Sequence, residues 1–465
     1  MKYSKLAFLT SLLMMACSVG PDYKQEKLFS DDEISKSLNL QTPFPNQKNF
    51  MIVDFCDDVL NQLIKDAEIS SPNLKMAILK LRQAREVLKI DVKNGFPTFD
   101  IGAKYNYVNE SNNMETLVKN DYYQIGVDMA WEIDIFGKTR REAESSKAQY
   151  RAMVENLKNV NVSLISDIAT NYINLRMAEQ NLKNMRENIL LQEDVYNIIS
   201  ERFNADLVDE MTLSQSKYLL ENMKMQVPML EYQREMYANA LAVLLGKLPQ
   251  SLDEFLHSEN KNLVSRVFEY DVEKLYRLPV SIIRSRPDVR MAEENLISQN
   301  AEIGVAVANV YPSFSLSGFL GFQSLKFSNL IERDSVGHSL VPEMVLPLFH
   351  FSQLRNNIEV QKLKRDEAEV NYEQTLLNAV AELRNAIVAI DKEYKVNKSA
   401  SLAYQKMSEV SYLMWKKYLS GLVEYTDVLT AEQNRLEAQT NMVNSNANLY
   451  KNIITFYKAI GGKYE

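Results

Sequence analysis

The sequence predicts an α+β membrane protein made of two copies of one structural unit, with strands suited to a shared β-barrel and very long coiled-coil helices. Three observations carry that prediction. Segments of the first half recur 215 residues later. Each copy holds two alternating strands of bilayer length. Each copy also holds a run of about seventy or more residues free of both Gly and Pro, the residues that most often interrupt helices.

Composition narrows the function. The 465-residue chain is 46% hydrophobic and 25% charged, too polar on average for a bundle of membrane-spanning helices. Its net charge of −8 is spread along the chain without a basic run, which argues against nucleic acid as a partner. The three histidines, His257, His338 and His350, have no metal-like spacing, and no phosphate loop or nucleophile elbow is present. No catalytic residue, metal or cofactor is expected.

Residues 1–16 read as a signal peptide: Lys2 and Lys5, then an apolar run from Leu6 to Met15 too short to span a bilayer permanently. The run ends at Met15-Ala16-Cys17, which resembles a bacterial lipobox, although Met14 stands where Leu is usual. Cys17 is therefore the expected lipidation site, and two acyl chains suffice for stable anchoring. Ser18, not Asp, follows it, as in lipoproteins sorted to the outer membrane. With Cys17 acylated, Cys56 has no partner for a disulfide. Residues 17–50, with Pro21, Pro43 and Pro45, form an expected extended arm.

The copies span 51–250 and 266–465, joined by a linker at 251–265. Ser71-Pro72-Asn73-Leu74 answers to Arg286-Pro287-Asp288-Val289, Phe96-Pro97 to Tyr311-Pro312, Arg202-Phe203 to Lys417-Tyr418, and Leu245-Gly246 to Ile460-Gly461. In the first copy, 57–94 reads as a helix interrupted near Ser71-Pro72. Period-two alternation then marks strands at about 98–108 and 122–134, with a polar loop at 108–121 between them. The second copy repeats this at about 313–323 and 338–348 around a loop at 323–338, although Pro342 cannot donate to a ladder. Apolar residues recur by sevens at Ile168, Leu175, Leu182, Ile189, Tyr196 and Phe203, then at Leu376, Leu383, Ile390 and Tyr404, with Asn397 and Ser411 expected to break the second seam. A helix from Lys138 to about Phe203 is roughly 100 Å long at 1.5 Å per residue.

Four strands cannot close a barrel, and open edges in lipid cost several kcal/mol per unpaired backbone group, so the chain must oligomerise. Strand counting alone leaves dimer, trimer and tetramer open. Polar alternate residues would face a water-filled lumen, while Tyr105, Tyr107, Tyr123 and Trp131 suit interfacial girdles.

Several motifs carry a family resemblance. Arg286-Pro287-Asp288-Val289-Arg290, Ala301-Glu302-Ile303-Gly304-Val305-Ala306 and Tyr311-Pro312-Ser313-Phe314 resemble the central signature of OprM/NodT-type outer-membrane efflux lipoproteins. Trp131-Glu132-Ile133-Asp134-Ile135-Phe136-Gly137-Lys138 looks like their strand-to-helix signature, and Cys17-Ser18-Val19-Gly20-Pro21-Asp22-Tyr23 like their mature start. The sequence departs from the family at Asp206, where Gly is usual, and at Phe349-His350-Phe351-Ser352, which lacks a Gly pair.

The resemblance implies a trimeric TolC-like duct: a twelve-stranded barrel in the outer membrane, reached by lipid and anchored at Cys17, over a periplasmic helical tunnel. It implies a periplasmic adaptor and an inner-membrane RND transporter as partners, and passive efflux of drugs or other small molecules. Type I secretion driven by an ABC transporter is the alternative for the same duct. Two helix-turn-helix tips, 202–212 and 417–427, would form the periplasmic end and dock the adaptor through Arg202, Asp206, Leu207, Lys417, Gly421 and Leu422. They would also form an iris-like aperture. There Asp427 and Tyr418 match acidic and tyrosine positions of the resemblance, Thr212 replaces the acid in the first copy, and Asp209, Glu210 and Glu424 are further acids. Each acid also fits an ordinary solvated charge at a helix end.

Overall fold

The structure, a computed structural model, describes residues 18–24, 28–38, 57–107, 121–252 and 278–462. Cys17, Cys56, the loop 108–120 and most of the linker lie outside the described residues. Among those described, helices α1 (Asp31–Leu38), α2 (Asp58–Ser70) and α3 (Pro72–Lys93) precede strands β1 (Thr98–Asn106) and β2 (Tyr122–Ile133). Helices α4 (Lys138–Asn204) and α5 (Glu210–Leu244) complete the first copy. The second runs through α6 (Ser281–Arg284), α7 (Pro287–Ala308), β3 (Ser313–Ser324), β4 (Val336–Val345), α8 (Phe351–Leu419) and α9 (Tyr425–Ala459). The break expected at Ser71-Pro72 falls between α2 and α3, because a Pro is well placed to start a helix and poorly placed inside one.

The strands form one antiparallel sheet in the order β1-β2-β3-β4. β4 begins two residues earlier than expected and ends before Pro347. Pro342 stays within it, opposite Leu316, because β4 is an outer strand of this sheet. The register puts Phe99, Ile101, Tyr105, Ile125, Val127 and Leu320 on one face, with Ile101 opposite Val127 and Val127 opposite Leu320. That face is uncovered: Ile101 is 85% exposed, Phe99 64% and Leu320 60%. Residues 108–120 apart, a loop of two short 3-10 turns, Phe327–Asn329 and Arg333–Ser335, joins β3 to β4.

The other face is polar, with Lys104 and Asp128 paired at 3.1 Å. Across its middle run Gly102, Gly126, Gly321 and Gly337, each directly opposite the next. A Cβ on Gly126 would lie 2.6 Å from the Phe319 ring; one on Gly321 would lie 2.5 Å from Gly126 Cα and strike the Ile125 carbonyl. The two central strands approach too closely on this face for any side chain at that pair.

The long helices are continuous: α4 has 67 residues and α8 has 69, each followed by a 35-residue partner. Ile168, Leu175 and Leu182 are buried as the seam requires. Beyond them Ile189, Tyr196 and Phe203 are only half-buried, and Met185, Gln192 and Ile199 take the inner positions. A straight helix turns every 3.6 residues, not 3.5, so a strict seven-residue column drifts off the contact line and its neighbour replaces it. In α8, Asn397 does not break the seam. It is buried and donates to Asn446 Oδ1 at 2.5 Å and to Ser445 Oγ at 3.5 Å on α9. Ser411 likewise donates to Glu432 at 2.7 Å. Both are hydrogen-bonded insets between the two helices, as burial of a polar group demands.

Each copy closes on its own beginning. Gly246 (φ +68°) packs against Pro72, and Ser70 Oγ donates to the Leu245 carbonyl at 2.7 Å. In the second copy Gly461 (φ +79°) packs against Pro287 and Arg286. Arg286, the counterpart of Ser71, is buried. Its guanidinium grips Asp288 through two bonds (3.0 and 2.7 Å), Glu382 (2.6 Å) and the Ala459 carbonyl (2.9 Å). The main core gathers Leu60, Leu63, Ile168, Tyr172, Ile173 and Leu241. Inside it Tyr172 donates to Asp57, which also caps α2 at Leu60 N. Burial pushes the Tyr172 phenol well above its ordinary range.

Candidate functional site

Two places carry the residues singled out from the sequence: the pair of helix-turn-helix tips, and the N-terminal segment that follows Cys17.

The tips have one backbone design. In the first, Leu207 N donates to the Arg202 carbonyl at 2.9 Å; in the second, Leu422 N donates to the Lys417 carbonyl at 3.0 Å. These bonds close a helix end whose next residue is left-handed. Gly421 has φ +72°, and Asp206 holds the matching position at φ +56°. The missing Gly thus leaves the turn intact, since Asp tolerates this conformation better than most residues. Leu207 and Leu422 project outward, 68% and 73% exposed. Lys417 is exposed beside them and Arg202 is half-buried.

Between the tips lies a small apolar cluster of Ile199, Tyr418, Tyr425 and Val428, with Trp415 packed against it. The Tyr418 ring lies 5.6 Å from Trp415 and 5.5 Å from Tyr425, and the Arg202 guanidinium sits over it at 5.4 Å. The structure therefore brings Arg202 of one tip onto Tyr418 of the other. The Tyr418 hydroxyl is buried and has no hydrogen-bond partner among the described residues. Burial also raises the Tyr425 phenol above its ordinary value, partly countered by hydrogen bonds from Ser216 and Gln192. Trp415, Tyr425, Gln192 and Ser216 were not expected from the sequence. The spacing of Tyr418 and Tyr425 by seven was the available signal, but a turn lies between them.

The acids behave differently from one another. Asp209 caps α5, accepting from Thr212 N at 2.9 Å and Thr212 Oγ1 at 2.6 Å, and these bonds hold its carboxyl below the ordinary range. Thr212 thus serves its own helix start. Glu210, Glu424 and Asp427 are exposed, and among the described residues the Asp427 carboxylate makes no hydrogen bond or ion pair. Glu424 precedes α9 without a side-chain cap.

The N-terminal segment is clamped. Arg141, its side chain 5% exposed, donates to the carbonyls of Val19 (3.2 Å) and Gly20 (3.3 Å), to Asp22 (2.7 Å) and to Glu144 (2.7 Å). Asn300 holds the Pro21 carbonyl at 2.9 Å, and Val19 N donates to the Phe136 carbonyl at 3.2 Å. Gly20 (φ +94°) abuts Gly304, where a Cβ would come 2.5 Å from Cα; a Cβ on Gly304 would strike the Arg141 stem at 2.7 Å. Removing the guanidinium in Arg141→Gln is expected to free residues 18–24. Limited proteolysis followed by mass spectrometry should then show cleavage before Lys24 several-fold faster than in the parent. An unchanged rate would show that the glycine contacts alone hold the segment.

Among the described residues no helix is long and apolar enough to cross a membrane, and no cluster of three or more His, Cys, Asp or Glu is arranged to hold a metal.

Comparison with known proteins fits this geometry. The family model described as "Outer membrane efflux protein" matches residues 63–247 and 278–462, whose starts and ends are each 215 apart. The chain is 25% identical to the Cation efflux system protein CusC of Escherichia coli O6:H1, over 99% of this chain and 98% of that one. It is 25% identical to the Toluene efflux pump outer membrane protein TtgI of Pseudomonas putida, again over 99% and 98%. Among solved structures, the Campylobacter jejuni CmeC outer membrane channel matches at 28% identity with a TM-score of 0.85, covering 97% of this chain and 96% of that chain. The outer-membrane channel OprN matches at 27% identity with a TM-score of 0.86, covering 96% and 100%.

Proposed function

Because the chain belongs to the outer membrane efflux protein family, we propose that three copies form the exit duct of a tripartite pump, opened at its helix tips and anchored through Cys17. The chain is an outer-membrane efflux channel protein. The observation that carries the oligomer is the sheet, while the count of three follows from the family resemblance. Among the described residues the sheet has an unpaired edge on β1 and another on β4, and an uncovered apolar face. Lipid can cover that face but cannot hydrogen-bond those edges. Pairing β4 of one copy with β1 of the next satisfies both, and three copies give twelve antiparallel strands, an even number within the range of known barrels. The polar face, with Lys104 and Asp128, then lines the lumen.

Passive conduction needs no catalytic residue. The energy comes from an inner-membrane RND transporter, joined to the duct by a periplasmic adaptor that meets Arg202, Asp206, Leu207, Lys417, Gly421 and Leu422 on the tips. CusC is named for cations and TtgI for toluene. Cargo chemistry thus varies while the duct is shared, and small molecules are the class proposed here. Those names favour efflux over type I protein secretion for this chain.

Purified protein in a planar bilayer is expected to conduct ions as a trimer. Protein that stays monomeric in detergent and never conducts would remove the basis for the duct. At the tips, Tyr418→Ala combined with Asp427→Ala is expected to raise single-channel conductance several-fold, by emptying the cluster that holds the two tips together and removing a ring of three acids. Tyr418→Phe should leave conductance unchanged, because the hydroxyl has no hydrogen-bond partner to lose among the described residues. Equal conductance in the double variant and the parent would place the aperture elsewhere.

A further inference from the structure

The duplication that built this chain also built a contact that a single copy leaves half-made. Where β2 and β3 meet inside the chain, the connector leaving β2 carries Phe136 and the connector entering β3 carries Tyr311. Their rings stack, with centroids 4.7 Å apart and planes 19° from parallel. Advancing Phe136 by the repeat offset of 215 gives Phe351, the first residue of α8, which follows β4. Moving Tyr311 back by the same offset gives Phe96, on the connector entering β1. Among the described residues of one copy these two have no such partner: Phe96 is 65% exposed and Phe351 43%. Flanking residues on the same elements are also uncovered, namely Val87 and Ile90 on α3 and Leu363 and Val370 on α8.

We propose that Phe351 of one copy stacks on Phe96 of the next, completing at each subunit junction the aromatic contact that Phe136 and Tyr311 make within the chain. The inference rests on the trimer proposed above and adds a specific occupant to it. β4 of one copy beside β1 of the next reproduces the β2–β3 junction: a strand leaving the sheet toward a long helix beside a strand entering it from a short one. The strand pairs keep the same offset, Thr98 opposite Ala130 and Ser313 opposite Val345, so the repeat brings the two rings to equivalent junctions. The apolar stretch before α8, with Leu348 69% exposed and Phe349 fully exposed, belongs to the same surface. Stacked aromatic pairs add stabilisation beyond their buried area, and here they would do so at all three subunit junctions.

The test uses the full-length, lipidated protein with Cys56→Ser, so that the acylated Cys17 leaves no reactive thiol. Ring contact sets the two Cα atoms further apart than a disulfide spans, so a short bis-maleimide is the probe. Phe96→Cys with Phe351→Cys in one chain should move most of the protein to covalent dimers and trimers on denaturing gels, while either single variant stays monomeric. Light scattering on the same samples reports the assembly independently. A trimer by light scattering that does not cross-link overturns the stacking and leaves the trimer standing; a monomer by light scattering overturns both. As a second measurement, Phe351→Ser should lower the temperature at which the trimer dissociates in detergent, Phe351→Tyr should restore it, and Phe136→Ser should affect it less. Equal dissociation temperatures for Phe351→Ser and the parent would assign the ring to lipid and overturn the proposal.

Discussion

Arg286→Met is expected to destabilise the helical core by about 3 kcal/mol, within the range for removing one partner of a buried ion pair. The Arg286 side chain is 6% exposed, and its guanidinium holds both oxygens of Asp288, one of Glu382 and the Ala459 carbonyl at the end of α9. Met fills the stem's volume but leaves the carboxylates without their cation. Glu382 is 58% exposed and recovers water, which keeps the effect near the lower end of that range. The measurement is the apparent unfolding temperature in detergent, expected to fall by several degrees. Adding Asp288→Asn and Glu382→Gln should recover part of the loss, because the orphaned charges go. A triple variant as unstable as the single one would attribute the loss to Arg286's own packing and carbonyl bonds.

The second large effect is expected at the sheet. Gly321→Val should prevent assembly of the barrel, with a cost at or beyond the roughly 3 kcal/mol upper end for over-packed sites. Any Cβ there meets backbone, namely the Ile125 carbonyl and Gly126 Cα, and backbone in a paired strand cannot step aside. Gly337→Val is the control in the same row. Its nearest neighbour is the Gln323 side chain at 3.0 Å, which can rotate away. Heat-modifiable gel mobility and the amount reaching the outer-membrane fraction should separate the two. Normal levels of Gly321→Val would show that the central strands can part.

The duplication, the four strands and both long helices were legible because each is written in local periodicity that survives without knowledge of the partner. Strand ends came within about three residues of their positions. What the sequence hid was pairing at a distance. Asn397 looked like a fault in an apolar column because its partners, Ser445 and Asn446, lie on another helix. Arg141 lies three residues beyond the Trp131–Lys138 motif, and its grip on residues 19–22 spans some 120 positions. Asp427 and Tyr418 came together as a pair only through resemblance; the structure puts the ring in a packed cluster and the acid in solvent. Thr212, expected at the aperture, is tied to Asp209 by ordinary capping chemistry that Asp209-x-x-Thr212 already spelled out.

The knot of Gly246 on Pro72, with Ser70 bonded to Leu245 across 175 residues, has a consequence for biogenesis. The first unit cannot acquire its final contacts until its last helix has crossed the inner membrane, and the second repeats the delay. Such sequence-distant contacts make for slow folding and leave apolar helix faces uncovered meanwhile. A newly exported chain of this design therefore spends its most aggregation-prone interval in the periplasm, waiting for its own tail.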